Sequence, residues 1–343
     1  MGAARDISRS AARARLRANV PAWVPALLCV AALSACDEAA LAPSQTVVTP
    51  EARPAPVAAP PPVTEAEPTP PSAASREIAA YYSRVQADNL ARGLLRTDGG
   101  GPDTPFTDTM LVRNFMAIAL EEEYIRGEGL RPAGPGASSA VKKWTQPVRV
   151  TTEFGPGVPR EQIDWDRAEV AKYAARLGRI TGHPVSMSND NPNFYVLFMS
   201  EDDQPQIANR IRQLVPDVNP NALRIFRNLP RGIHCLVMAF ATDYGGYDYG
   251  TAIAVIRSEH PDLMRRSCVH EEMAQGFGLT NDSPSARPTI FNDDDEFALL
   301  TRHDELLLKI LYDPRLRPGM SAEEALPIVR EKAADLVGSG NSS

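Results

Sequence analysis

The chain has 343 residues, four cysteines, 31 prolines and a formal charge of −7. That length holds one large domain or two ordinary ones. Charged residues at 23% and hydrophobic residues at 43% exclude wholesale disorder, a collagen-like chain and a multi-span membrane protein. The acidic balance argues against a nucleic-acid partner, which usually needs a basic patch. Four cysteines are too few for a disulfide scaffold, and their spacing fits no zinc ribbon or finger.

Residues 1–20 set Arg5, Arg9, Arg13, Arg15 and Arg17 against a single Asp6, a basic region of net charge +4. The apolar run from Trp23 to Leu33, broken only by Pro25, is too short to span a bilayer and has the length of a signal-peptide core. It ends in Leu33-Ser34-Ala35-Cys36, which resembles a bacterial lipobox. The resemblance implies cleavage of residues 1–35, with Cys29 discarded, and acylation of Cys36 as the partner of a membrane. The remaining 308 residues would carry −11, so anchorage would rest on the acyl chains, at about 0.8 kcal/mol for each buried methylene. Asp37 resembles the inner-membrane retention signal of enteric bacteria. The expected location is therefore a lipid anchor facing the periplasm, on the inner membrane rather than the outer.

Residues 36–75 hold the acylated cysteine and a segment with ten prolines and few bulky apolar side chains. Such a segment cannot bury enough surface to offset chain entropy. At about 3.1 Å per residue in polyproline form it would reach up to about 100 Å, a tether holding the domain off the membrane. A ligand for proline-recognition domains is the alternative.

Periodicity changes from Arg76. Ile78, Tyr81, Tyr82, Val85 and Leu90 recur at helical spacing, as do Leu111, Phe115, Ile118 and Ala119 after Asp108 as the expected cap. These form an N-terminal helical segment, 76–140. Gly99-Gly100-Gly101-Pro102 reads as a loop, since no strand precedes it and no Lys-Ser/Thr follows. The main domain, 141–337, opens with an alternating strand in 144–154 and a helix over 161–181. Buried strands are expected at 194–199, 235–240 and 251–256, and helices near 261–277, 303–312 and 321–337. A disordered tail, 338–343, follows. The total is an α+β domain with a small twisted sheet and its last helices clustered at the C-terminal end. Cys235 and Cys268 read either as a disulfide or as two buried thiols. Export favours the disulfide, which would stabilise by about 4 kcal/mol.

The densest chemistry runs from Cys268 to Asp282, CVHEEMAQGFGLTND. His270-Glu271 invites a zinc-protease reading, but the second ligand would fall on Ala274, whose methyl group cannot bind metal. One residue on, Glu271 and Gln275 stand at i, i+4, with Glu272 beside the first, Gly278 at the turn, and Asn281 or Asp282 beyond. This resembles the metzincin layout, His-Glu-x-x-His-x-x-Gly-x-x-His/Asp. The resemblance implies a zincin-like fold, with Glu271, Gln275 and Asn281 or Asp282 at metal-ligand positions and Glu272 at the general base. Thr289-Ile290-Phe291-Asn292-Asp293 sits where that family makes its methionine turn, with Phe291 for the methionine. More closely, residues 141–320 resemble a proteobacterial family of lipoproteins of unknown function, domain of unknown function 2927. The stretches that carry this are Lys143-Trp144, Leu177 to Gly182, Asn193-Phe194, Glu271 to Asp282, Phe291-Asn292-Asp293, Leu311 to Arg315 and Pro318-Gly319-Met320.

Glu, Gln and Asn offer oxygen donors, whereas catalytic zinc usually takes nitrogen or sulfur. The expectation is therefore a degenerate active-site helix in which Glu271, Glu272 and Gln275 form a polar binding cluster. His270 stands at the adjacent position, and no metal is bound, or a hard divalent ion at most. The favoured function is non-catalytic binding of an envelope protein or peptidoglycan. One alternative is an atypical metal-dependent hydrolase using Glu272; another is a structural protein with a vestigial cleft. The acidic run 292–296 reads as a solvated loop, and Asp243 to Gly250 as a hairpin turn or a ligand-gripping loop. His183, His234, His260 and His303 make no usable spacing, and no serine-nucleophile elbow is present.

Overall fold

Phe194 to Met199 is apolar on both faces, as a strand covered on both sides must be. It is the middle of a five-stranded sheet: β1 (Val148–Phe154), β2 (Val185–Met187), β3 (Phe194–Met199), β4 (Cys235–Ala241) and β5 (Tyr249–Arg257). The order is β2-β1-β3-β5-β4. The first four strands in that order run parallel, and β4 closes one edge antiparallel to β5. Phe194, Val196, Phe198, Ala252, Ala254 and Ile256 point into the larger core, and Leu197, Ile253 and Val255 into a second. The computed structural model describes residues 70–340 apart from 123, 125–130, 135, 244 and 293. The expected signal peptide, Cys36 and the expected tether up to 69 lie outside the described residues, as do Tyr244 and Asp293.

Among the described residues seven α-helices complete the α+β domain: α1 (Ala73–Ala91), α2 (Asp108–Ala119), α3 (Arg160–Thr181), α4 (Gln204–Leu214), α5 (Asp262–Gln275), α6 (Arg302–Leu311) and α7 (Ala322–Gly340). Side chains of α2, α3, α5, α6 and α7 fill the larger core; Ile207 and Ile211 of α4, with Phe226, fill the second. Among the described residues no helix is long and apolar enough to cross a membrane.

Several boundaries differ from expectation for local reasons. α1 begins at Ala73, inside the expected tether, because the Ser72 hydroxyl accepts from the Ser75 amide and supplies a cap. α2 is capped by Thr107 rather than Asp108, whose carboxylate instead accepts from the Thr109 amide at 2.6 Å. α7 continues to Gly340, past the expected start of the tail. α4 and β2 have no counterpart in the sequence reading. α4 buries only a thin apolar stripe, Ile207, Ala208 and Ile211, and β2 is too short for an alternating pattern.

The C-terminal end of α5 touches the sheet through bare backbone. A β-carbon at Gly276 would come within 2.6 Å of the Phe194 ring, and one at Gly278 (φ +121°) would overlap the Lys142 carbonyl oxygen. The Trp144 indole donates to the Gly276 carbonyl at 2.9 Å across the same junction. Gly278→Ala would add a left-handed backbone penalty to a backbone clash. Urea unfolding of that variant is expected to show a loss of at least about 2 kcal/mol; an unchanged midpoint would disprove the packing described.

Candidate functional site

α5 carries the sequence DLMRRSCVHEEMAQ, and its neighbours hold it on several sides. Near its start, Arg265 is buried against Asp166 of α3, with Nε 2.9 and 3.1 Å from the two carboxylate oxygens. Burial pushes the Asp166 carboxyl up, and the Arg265 charge pulls it back. Further on, Cys268 forms a disulfide with Cys235 at the start of β4, with the two Cα atoms 5.9 Å apart. This ties the helix to the edge strand.

His270 is a structural member of this frame. Its ring stacks on Tyr173 with centroids 4.0 Å apart and planes 12° from parallel. Its Nδ1 accepts from the Leu300 amide at 3.1 Å, which leaves the proton on Nε2, and the Tyr173 hydroxyl donates to the His270 carbonyl.

The next two positions behave differently. One carboxylate oxygen of Glu271, one of Glu272 and the sulfur of Cys235 all lie within 4.8 Å of one another. Glu272 is buried, whereas Glu271 and Cys235 are half-buried. Gln275 turns its amide nitrogen to Asp282 at 3.2 Å. Asn281 is drawn to the end of α2: its amide N–H donates to Ile118 and its side chain to the Ala117 carbonyl at 2.8 Å. The candidate ligands thus fall into separate groups, Glu271 with Glu272, Gln275 with Asp282, and Asn281 on α2. Cys235, expected as a disulfide half or a buried thiol, joins the carboxylates. The available signal was that Cys268, Glu271 and Glu272 share one helix face at i, i+3 and i+4.

These donors do not fit catalytic zinc. The carboxylates and amides supply oxygen, and the one sulfur beside them is closed by its disulfide. The loop downstream is also held by protein groups. The buried carboxylate of Asp304 accepts from the Thr289 hydroxyl, from the Ile290 amide at 3.2 Å and from the Thr301 amide at 3.0 Å. Phe291 is fully buried within that loop. Lys143 reaches the end of α6 and donates to the carbonyls of Leu311 and Asp313, and burial lowers its pKa to about 8. Of the remaining histidines, His234 and His260 lie together with ring centroids 5.7 Å apart, while His183 and His303 sit elsewhere. His260 is in ring contact with Tyr82 and bonds the His234 carbonyl, His303 accepts from Asn114, and His183 bonds the Gln146 carbonyl. Segment 242–248 is the β4–β5 connection, where Asp248 accepts from the amide and hydroxyl of Thr145.

A separate crevice of about 480 Å³ opens beyond the C-terminal ends of β1, β3 and β5, among Pro156, Ser200, Asp202, Glu259 and His260. The start of α1 covers it: the Ser75 hydroxyl donates to Glu259 at 2.8 Å, and the Ser72 amide to Asp202 at 2.8 Å. Open parallel sheets bind ligands in such places. Here the chain's own helix takes up much of the polar lining.

Burial lowers the pKa of His260 to about 3 and that of His270 well below the usual 6.5. Unfolded, both rings take up a proton near pH 6.5. The stability tied to their neutral forms is therefore complete above that pH and lost as pH falls toward the folded-state values. The expected loss approaches about 1.4 kcal/mol per pH unit for each ring. Urea unfolding at pH 7.5 and 5.0 tests this; a free energy that is constant or rises on acidification contradicts it.

No curated protein and no solved structure matches the chain. A family model does match, over residues 108–331, well over half the chain and all five strands. Its only description is that of a protein of unknown function, and the chain belongs to that family, DUF2927.

Proposed function

We propose that this protein is a lipid-anchored envelope protein that binds an extended segment of another envelope protein along β4, beside Glu271 and Glu272, without cleaving it. The observation that carries the reading is the edge strand. β4 pairs with β5 from Cys235 to Ala241, and no further strand pairs with its outer edge among the described residues. A strand edge of this kind offers a row of main-chain donors and acceptors to which an extended peptide can add. CLVMAFA contains neither of the residues, Lys and Pro, that commonly block such addition.

The flank of the edge gives the chemical preference. The disulfide holds Glu271 and Glu272 of α5 next to the first residue of β4, so a peptide on that edge would meet the half-buried Glu271, with the buried Glu272 behind it. A lysine or arginine side chain suits that acidic flank. The lipobox ending at Cys36 and the proline-rich segment support an anchored, outward-facing placement, and the Glu271–Gln275 spacing with its Gly278 turn supports a zincin-like scaffold with replaced ligands. The rival reading, a hydrolase with Glu272 as base, draws on the closeness of the two carboxylates.

The full chain in detergent separates the two. Extended peptides with a central basic residue are expected to bind and to be recovered intact. Binding should weaken about tenfold in the Glu271→Gln, Glu272→Gln double variant, or about 1.4 kcal/mol. Cleaved peptide, or stoichiometric metal lost in both Glu271→Ala and Gln275→Ala, would replace this reading with the hydrolase.

A further inference from the structure

The constellation that fails as a catalytic zinc site in the oxidised protein has the composition of a different one once the disulfide opens. Cys268, Glu271 and Glu272 share a face of α5, and Cys235 faces them from β4. We propose that Cys235, Cys268, Glu271 and Glu272 form a zinc-binding site that exists only in the reduced protein, with the disulfide as its closed state.

The four donors are already gathered in one place. Zinc holds thiolate at about 2.3 Å and carboxylate oxygen at about 2.0–2.2 Å, so donors at tetrahedral angles on one ion stand about 3.3–3.8 Å apart. The Cys235 sulfur and the two carboxylate oxygens lie within 4.8 Å of one another, and the Cys268 sulfur is bonded to that of Cys235. Once the bond between them is broken, side-chain rotations that move the two sulfurs apart by an ångström or more, to about 3.8 Å, would complete a tetrahedral set of two sulfurs and two oxygens. Thiolates select zinc over calcium or magnesium, which carboxylates alone would favour.

Opening requires a dithiol reductant, and each step balances. A thiolate of the reductant attacks the sulfur of Cys235, the less buried of the two cysteines, and Cys268 departs as thiolate with the electron pair of the broken bond. The second thiol of the reductant then attacks the mixed disulfide and releases Cys235 as thiolate. The reductant leaves as its own disulfide, having supplied two electrons and two protons. The protein now holds two cysteines beside two carboxylates. Their combined negative charge raises the cost of ionising either thiol, and zinc removes that cost by taking the place of both protons. In the oxidised state both sulfurs are neutral and coordinatively closed. Zinc in the site would occupy the carboxylates offered to a bound peptide, so the redox state of one disulfide would decide whether the edge of β4 keeps its acidic flank.

The test uses the full chain in detergent, oxidised or reduced with a phosphine that is then removed. Zinc binding is followed by elemental analysis, and cobalt as a substitute by its thiolate-to-metal absorption in the near ultraviolet. The expected results are one zinc per chain in the reduced protein, less than a tenth of that in the oxidised protein, and cobalt absorption that disappears in Cys235→Ser. The Glu271→Gln, Glu272→Gln double variant retains both thiols and should bind zinc at least tenfold more weakly. Zinc should also raise the melting temperature of the reduced wild-type chain by several degrees. The proposal is overturned by equal zinc in both redox states, by none in a reduced chain whose circular dichroism remains native, or by a double variant that binds as the wild type does, which would indicate a site made of thiols alone. If reduction unfolds the chain and zinc does not restore its melting transition, the proposal also fails. Failure here would leave peptide binding by the oxidised protein untouched.

Discussion

Backbone contact at the end of α5 is the constraint around which the domain is arranged. Gly276 lies against the Phe194 ring of β3 and Gly278 against the Lys142 carbonyl, and neither position has room for a side chain. The helix therefore ends close against the sheet and turns immediately. The indole of Trp144 secures the junction through the Gly276 carbonyl, and the Tyr312 hydroxyl does the same through Phe277 at 3.0 Å. Elements far apart in the chain meet at this one point.

Once the end of α5 is placed, its rotation about its own axis decides what the site can be. Three contacts set that rotation: the buried Arg265–Asp166 pair, the stack of His270 on Tyr173, and the Cys235–Cys268 disulfide. A buried ion pair contributes little net stability, since desolvation offsets most of the attraction, but breaking one by removing a partner costs several kcal/mol. The Arg265–Asp166 pair is thus better understood as an orienting device than as a source of stability. With His270 turned toward α3 and residue 300, Glu271 and Glu272 are left toward β4.

The same physics explains what was legible beforehand. The buried strands β3 and β5 and the long helices α3 and α5 could be read because each repeats an apolar pattern over many residues. α4 and β2 could not, since each has too few apolar residues for a period to stand out. At the site, the spacing of Glu271, Gln275, Gly278 and Asn281 on a helix and its turn was visible in the chain. Spacing along one helix does not reveal what another element offers, however, and Asn281 is held by the end of α2 while Gln275 turns to Asp282.

By itself the sequence determined the α+β class, the helix that carries the acidic pair, the turn after it and the two cysteines that lie within the folded part of the chain. Those are local or compositional properties, set by periodicity, by the backbone freedom of glycine and by a residue count. Tertiary structure alone decided the sheet order, the edge position of β4 among the described strands, the structural role of His270 and the closeness of Cys235 to Glu271 and Glu272. Each of these depends on which surfaces meet when the chain packs. Contacts between residues distant in the chain leave no periodic trace in the sequence, because only their positions in space, and not their spacing, are constrained.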